Sequence, residues 1–210
     1  MNHRDGTRVT EPLTKAEIVS SEQERLILVD EQDREVGQLD KWTCHDGAGV
    51  RHRAFSVFAF NSAGELLLQQ RAPGKRLWPE YWSNSCCSHP RAGETMAQAV
   101  VRRVAQELGL AMQPEFVYKF EYVARFGTLG TEHELCSVYL GRAQTQPVIN
   151  TTEISGWRWI TAAELDLELD RHGDRYTPWF KLEWARLRAE HGDRLQRFGV
   201  EPAREEEQAR

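Results

Sequence analysis

The sequence predicts an α/β sandwich around a mixed β-sheet. Short apolar stretches come in pairs separated by turn residues, which is the pattern of strand hairpins, and helical segments with start or stop signals are interleaved with them. With 210 residues, 40% hydrophobic and 28% charged, the chain has ordinary globular make-up and enough length for one well-buried core. The single domain is expected over residues 25–196. Residues 1–24 and 197–210 are polar and lack hydrophobic periodicity, so they are expected to form a mobile N-terminal extension and a disordered C-terminal tail.

The elements follow in order. RLILVD and EVGQL flank the turn EQDRE and read as a first hairpin; RAFSVFAF and ELLLQQRA flank NSAG and read as a second. From Thr95 to Leu108 the apolar residues Met96, Ala99, Val100, Val104 and Leu108 mark one helix face. Thr95 with Gln98 resembles a capping box there, and Gly109 suits the stop. EFVYKFEYVAR is expected to place Phe116, Tyr118, Phe120 and Tyr122 on one strand face, and EHELCSVYLGRA returns after the turn FGTLGT. The short strand GWRWI leads to a helix start at Thr161 and Glu164. Thr177 before Pro178 then opens a last helix running to about His191.

The totals exclude several functions. A net charge of −5 argues against a nucleic-acid binder, which needs a dominant basic surface. No run of 18 or more apolar residues occurs, and the polar start lacks the apolar centre of a secretory signal, so a cytoplasmic chain with no membrane partner is expected. Of the four cysteines, Cys86 and Cys87 could join only as a strained vicinal disulfide, and no paired C-x-x-C spacing is present.

Chemistry concentrates in a few places. Glu132 and Glu134 are two apart on a strand, so both carboxylates project from one face while His133 points away. That pattern also fits a solvated sheet face, but buried carboxylates flanked by apolar residues require a compensating cation. His45, His52 and His89 lie in the first half of the domain, and imidazole with carboxylate suits zinc, manganese or iron. Cys87, two residues before His89, fits a nucleophile, an acid/base group, a ligand or a small buried hydrophobe. Arg71, Lys75, Arg76, Arg91, Arg102 and Arg103 surround it in sequence, as a small anionic substrate would need.

SNSCCSHPRAGE with the following VVRRVAQELGL resembles a degenerate Nudix box. Ser88 occupies the opening glycine position, Glu94 the first glutamate, Arg102 the arginine, Gln106 and Glu107 the glutamate pair and Gly109 the last glycine, while Arg103 replaces a glutamate. Two carboxylates that hold magnesium in the hydrolases are therefore missing. The same stretch, together with RHRAFS, RLWPEYWSNS, FEYVARF, TEHELC and TPW, is similar to the type I isopentenyl-diphosphate isomerases over about residues 25–185.

The resemblance implies a Nudix-like α/β/α sandwich that isomerises isopentenyl diphosphate to dimethylallyl diphosphate through a tertiary carbocation, in isoprenoid biosynthesis. It implies that His45, His52, His89, Glu132 and Glu134 bind one ion, Mn2+, Zn2+ or Mg2+, and that Glu107 helps bind a Mg2+ that travels with the diphosphate. Lys41, Arg71, Lys75 and Arg103 would contact the diphosphate, and Trp179 would face the cation. Cys87 and Glu134 would exchange protons with opposite sides of the substrate, with Tyr122 beside the glutamate; donor and acceptor stay unassigned. The small-molecule enzyme is expected to act as a monomer. The alternatives are a Nudix hydrolase of a nucleotide or other diphosphate and a non-catalytic metal-binding or diphosphate-sensing module.

Overall fold

A computed structural model describes residues 14–202; the rest of the two predicted extensions lies outside the described residues. The short β1 (Thr14–Lys15) precedes the first predicted hairpin, β2 (Arg25–Val29) with β3 (Glu35–Asp40). The Asp40 carboxylate accepts from the Thr43 amide and starts a single turn, α1 (Lys41–Cys44), which sets Lys41 and His45 at its two ends.

The central strand β4 (His52–Phe60) meets β5 (Leu66–Arg71) across the NSAG turn, but the two share only the pair Phe60 and Leu66. The expected second hairpin is thus a hinge. Its first strand stays in the middle of the sheet, and β5 leaves to pair with other strands. The SNSCCS stretch, which carries no strand signal, forms β6 (Trp82–Ser83) against β5 and β7 (Cys86–Ser88) against β4. After it comes α2 (Met96–Leu108), with the predicted capping box of Thr95 and Gln98 and with Gly109 at φ 64°. A Cβ on Gly109 would also lie 2.9 Å from the Val148 Cβ, so glycine is required there on both counts.

The long hairpin β8 (Glu115–Phe126) and β9 (Gly130–Arg142) follows, and β9 runs parallel to β4 along its whole length. One parallel pairing in an otherwise antiparallel path makes the sheet mixed, as expected. A bulge between Phe116 and Tyr118 turns Phe116 to the other face, where it is half exposed against Tyr139. Only Tyr118, Phe120 and Tyr122 therefore share the predicted face. β10 (Ile149–Asn150) pairs with β1, and β11 (Ile154–Ile160) pairs with β5.

The chain closes with α3 (Ala162–His172), capped by Thr161 and Glu164, a 3-10 turn (Gly173–Arg175), α4 (Pro178–Glu190) and α5 (Gly192–Arg197). Thr177 makes no capping hydrogen bond; its hydroxyl instead meets Ser83 at 2.8 Å, tying the start of α4 to the SNSCCS segment. Helices cover both faces of the sheet. On one face Ala99, Val100, Val104 and Leu108 of α2 pack on Val57, Ala59 and Leu67. On the other, Phe180, Trp184 and Leu187 of α4 pack on Phe58, Val138 and Leu140. Each valine, leucine and phenylalanine among them contributes about 1.5–3 kcal/mol of burial.

Residues 14–24, whose polarity suggested a free extension, pack on the domain. The Asn150 side chain donates to the Glu17 carbonyl at 2.7 Å, and the Val19 carbonyl accepts from Arg103 at 2.8 Å. The segment is held by hydrogen bonds to its backbone, which leave no apolar period to read. The start of the C-terminal tail packs as well, with Val200 buried and Arg197 on Glu115 at 2.7 Å. No helix among the described residues is long and apolar enough to cross a membrane.

Candidate active site

Strand register assembles the five predicted metal ligands. His52 opens β4 directly opposite Glu134 of β9, Glu132 lies two residues earlier on the same face, His89 follows β7 and His45 follows α1. The ligand atoms all lie within 4.8 Å of one another, and the three imidazole centroids are 4.9 to 5.4 Å apart. His133 points outward to Glu121, as alternation requires.

His89 Nε2 meets Glu134 Oε1 at 2.8 Å, while three other polar atoms of the cluster have no partner. His45 Nε2 and Glu132 Oε2 stand 2.8 Å apart without hydrogen-bond alignment, and both, with His52 Nε2, are buried and lack a hydrogen-bond partner. His52 Nδ1 meets the Val50 carbonyl at 2.7 Å, which fixes the ring and turns Nε2 toward the cluster. Burial pulls the His89 pKa down to about 4 despite the neighbouring Glu134, so this imidazole is neutral. Burial opposes ionisation of Glu134, but His52 and His89 outweigh it and keep the carboxylate well below its usual range. Burial works against a charged His45, but Glu132 outweighs it and raises that pKa, so a bound cation would displace a proton there; three imidazoles and two carboxylates in one buried shell are a donor set that fits a divalent cation.

Cys87 lies beside this cluster. Its Sγ donates to Asn84 Oδ1 at 2.8 Å, accepts from Trp179 Nε1 at 3.2 Å and lies 3.8 Å from the Ser56 hydroxyl. Burial pushes its pKa up to about 12, so the thiol stays protonated at neutral pH. The Tyr122 hydroxyl donates to Glu134 Oε2 at 2.7 Å. Burial and the charges of Glu134 and Glu132 hold that phenol neutral, well above its usual pKa. Cys86, its neighbour in sequence, points into the α2 core and is fully buried.

One cavity of about 170 Å³ is lined by Cys87, Tyr122, Glu134 and Trp179, with Lys41, Arg71, Lys75 and Arg103 also on its wall. The predicted cations thus converge, each with a fixed partner. Lys41 Nζ donates to Ser20 at 3.0 Å, Lys75 pairs with Glu153, and Arg103 bonds Glu107, the Val19 carbonyl and, at 3.3 Å, Glu153. Arg71 donates to the carbonyls of Leu77 and Trp78 at 2.8 and 2.9 Å and lies 5.3 Å from the Trp179 ring centroid. Trp78 adopts φ 46°, a strained conformation for a bulky residue, and packs edge-on against Trp179.

Glu107 sits behind Arg103 rather than on the cavity wall. Glu94, the first glutamate of the box, grips Arg102 at 2.6 and 2.7 Å, and Gln106 accepts from the same guanidinium, so these positions serve the helix rather than the cavity. Sequence reasoning missed Glu153, Asn84, Ser56 and Glu183. Glu153, Ser56 and Glu183 are unremarkable polar residues in their own segments and gain these neighbours only through contacts between distant elements, whereas Asn84 lies three residues before Cys87 in the SNSCCS stretch.

A NUDIX domain model matches residues 50–180. An isopentenyl-diphosphate delta-isomerase of Photorhabdus laumondii is 43% identical over 174 residues, 82% of this chain and 99% of that protein. The isopentenyl-diphosphate delta-isomerase of Burkholderia multivorans is 42% identical over 158 residues, 75% of this chain and 89% of that protein. Among solved structures, a protein of Deinococcus radiodurans aligns with a TM-score of 0.58 at 30% identity, covering 71% of this chain and 90% of its own. The MutT protein of Methanosarcina mazei, at 18% identity and TM-score 0.51, shares the fold over 71% of this chain and 93% of its own. Fold, cavity and relatives agree, and the chain belongs to the isopentenyl-diphosphate delta-isomerase family within the Nudix superfamily.

Proposed function

We propose that the chain converts isopentenyl diphosphate to dimethylallyl diphosphate with Cys87 as proton donor and Glu134 as acceptor, a step of isoprenoid biosynthesis. The observation that carries this reading is that a protonated thiol and an ionised carboxylate open on one aromatic-walled cavity lined with cations. Lys41, Arg71, Lys75 and Arg103 bind the diphosphate and orient the alkene toward Cys87. The Cys87 S–H proton passes to the terminal alkene carbon, and the positive charge falls on the neighbouring tertiary carbon. The proton of the next carbon leaves to Glu134, and its bonding electrons form the new double bond. Each group has then changed protonation state, and exchange with solvent after release restores both.

An isolated alkene is weakly basic, so the cation must be kept from water. Trp179 and Tyr122 supply aromatic walls, with Trp78 packed edge-on against Trp179, and the Trp179 ring offers its face to the charge. The Tyr122 hydroxyl holds one oxygen of Glu134 and leaves the carboxylate a defined orientation. His45, His52, His89, Glu132 and Glu134 would hold Mn2+, Zn2+ or Mg2+, and Glu107, which is paired with Arg103 behind the cavity wall, would have to exchange that partner to help bind a Mg2+ accompanying the diphosphate. A bound ion supplies fixed positive charge that orients Glu134 and tunes its basicity. All these residues come from one chain and, in this reading, from a single catalytic domain at 25–196, so a monomer suffices.

Hydrolysis is disfavoured because the α2 face offers Arg103 and Gln106 where the box would place glutamates to activate water. The test is incubation of isopentenyl diphosphate with the protein and metal in heavy water. Deuterium-labelled dimethylallyl diphosphate is expected from the native chain and none from folded Cys87→Ala or Glu134→Gln. Retained turnover in the Cys87 variant, or release of phosphate instead of isomer, would overturn the mechanism.

A further inference from the structure

The Cys87 sulfur is also held from the side away from the cavity. Glu183 lies one turn after Trp179 on α4, fully buried, and its Oε2 has no hydrogen-bond partner. Its Oε1 is 3.5 Å from Cys136 Sγ, Cys136 Sγ is 3.6 Å from Ser56 Oγ, and Ser56 Oγ is 3.8 Å from Cys87 Sγ. Side chains from α4, β9, β4 and β7 thus form an unbroken line that ends on the Cys87 sulfur.

The groups facing Glu183 are the Ser56 hydroxyl, the Cys136 thiol and the charge of Glu134, and none is a cation. An ionised carboxylate in such a place is costly, and burial pushes the Glu183 pKa up to about 8. As a neutral acid Glu183 donates, and the line acquires a direction. Its O–H points to the Cys136 sulfur, the Cys136 S–H to the Ser56 oxygen, and the Ser56 O–H to the Cys87 sulfur. Cys87 then directs its own S–H to Asn84. As an anion Glu183 would accept, Cys136 and Ser56 would turn toward it, and the Cys87 sulfur would lose the Ser56 donor.

We propose that Glu183 is a positioning residue for isomerisation, aiming the Ser56 hydroxyl at the Cys87 sulfur through Cys136. Ser56 O–H and Trp179 N–H then both face the atom on which negative charge develops when Cys87 gives up its proton. This inference rests on the reading of Cys87 as proton donor.

Three variants test it, followed by kcat, KM and thermal melting. Glu183→Met follows the same unbranched path but cannot donate; a roughly tenfold fall in kcat is expected, the size of one lost hydrogen bond, with KM unchanged and no loss of melting temperature. Glu183→Gln donates permanently and is expected to keep kcat within about twofold of native. Ser56→Ala should reproduce the fall, and the Ser56→Ala, Glu183→Met double variant should add nothing to it, because both cut one line. A purely structural Glu183 would lower the melting temperature of the Met variant and leave kcat unchanged. Native kcat in Glu183→Met, a Gln variant as slow as the Met variant, or additive losses would each overturn the proposal. Cys87→Ala separates the levels: if it is inactive while Glu183→Met is fully active, only the role of Glu183 falls, and if it is active, the donor assignment falls with it.

Discussion

Removing the metal is expected to loosen the fold as well as stop the reaction. Five ligand atoms lie within 4.8 Å of one another, and His45 Nε2, His52 Nε2 and Glu132 Oε2 are buried without a hydrogen-bond partner. An ion that binds only the folded chain, present at a hundred times its dissociation constant, stabilises by about 2.7 kcal/mol. In a chain of this size each kcal/mol moves the melting temperature by roughly 2–4 °C, so chelation should lower it by about 5–10 °C. Calorimetry on chelator-dialysed protein, before and after stoichiometric addition of Mn2+, Zn2+ or Mg2+, reads this directly. His52→Asn is the matching control, since His52 is fully buried and does not line the cavity. That variant should melt at the chelated temperature and ignore added metal. Because ligation needs neutral imidazoles, the gap should also narrow as the solution is made acidic. If chelated, reloaded and His52→Asn proteins all melt together, the cluster is not a metal site.

Further outcomes can be checked on the same preparation. Cys86→Ala should cost about 1 kcal/mol of stability in denaturant titration and keep most activity, because Cys86 is a packing residue of the α2 core. Trp179→Leu should lose about thirtyfold in kcat, the worth of a desolvated cation–π contact, and Trp179→Phe should lose less because it keeps a ring face. Lys41→Ala should raise KM about tenfold with little change in kcat, as expected for a group that holds substrate and transition state alike. The pH profile of kcat distinguishes the two proton directions. A thiol raised to about 12 remains protonated below that value, so a donor Cys87 gives no rise in kcat between pH 7 and 9. A kcat that climbs with pH over that range would make the thiolate the base and reverse the assignment.

The sequence revealed what depends on local rules. The capping boxes at Thr95 and Thr161, the glycine stop at Gly109 and the shared face of Glu132 and Glu134 follow from spacing and appear as expected. Phe116 did not, because one bulge reverses strand alternation and nothing in EFVYKFEYVAR marks it. The polar 14–24 segment was likewise unreadable, since two of its anchors, Asn150 and Arg103, lie more than 80 residues away. The same separation hides Glu153 and Glu183. The family resemblance supplied the five ligand positions, whereas their convergence is a consequence of the parallel pairing of β4 and β9, a contact between strands far apart in sequence.

The α2 helix explains how a hydrolase scaffold becomes an isomerase. Hydrolysis and isomerisation both require the diphosphate to be held, but isomerisation requires that no activated water reach it. Arg103 stands where the box would place a metal-binding glutamate, and it is neutralised on the inside by Glu107 and Glu153. Its charge is therefore fixed and buried on the cavity wall rather than mobile in solvent. The surviving Glu94 and Gln106 are spent on Arg102, which stabilises the helix and leaves no carboxylate free to activate water from that side. In the proposed mechanism the proton chemistry lies across the cavity, on a thiol of β7 and a carboxylate of β9. On that side stand the Trp179 ring and the Tyr122 phenol, surfaces suited to a carbocation kept from water.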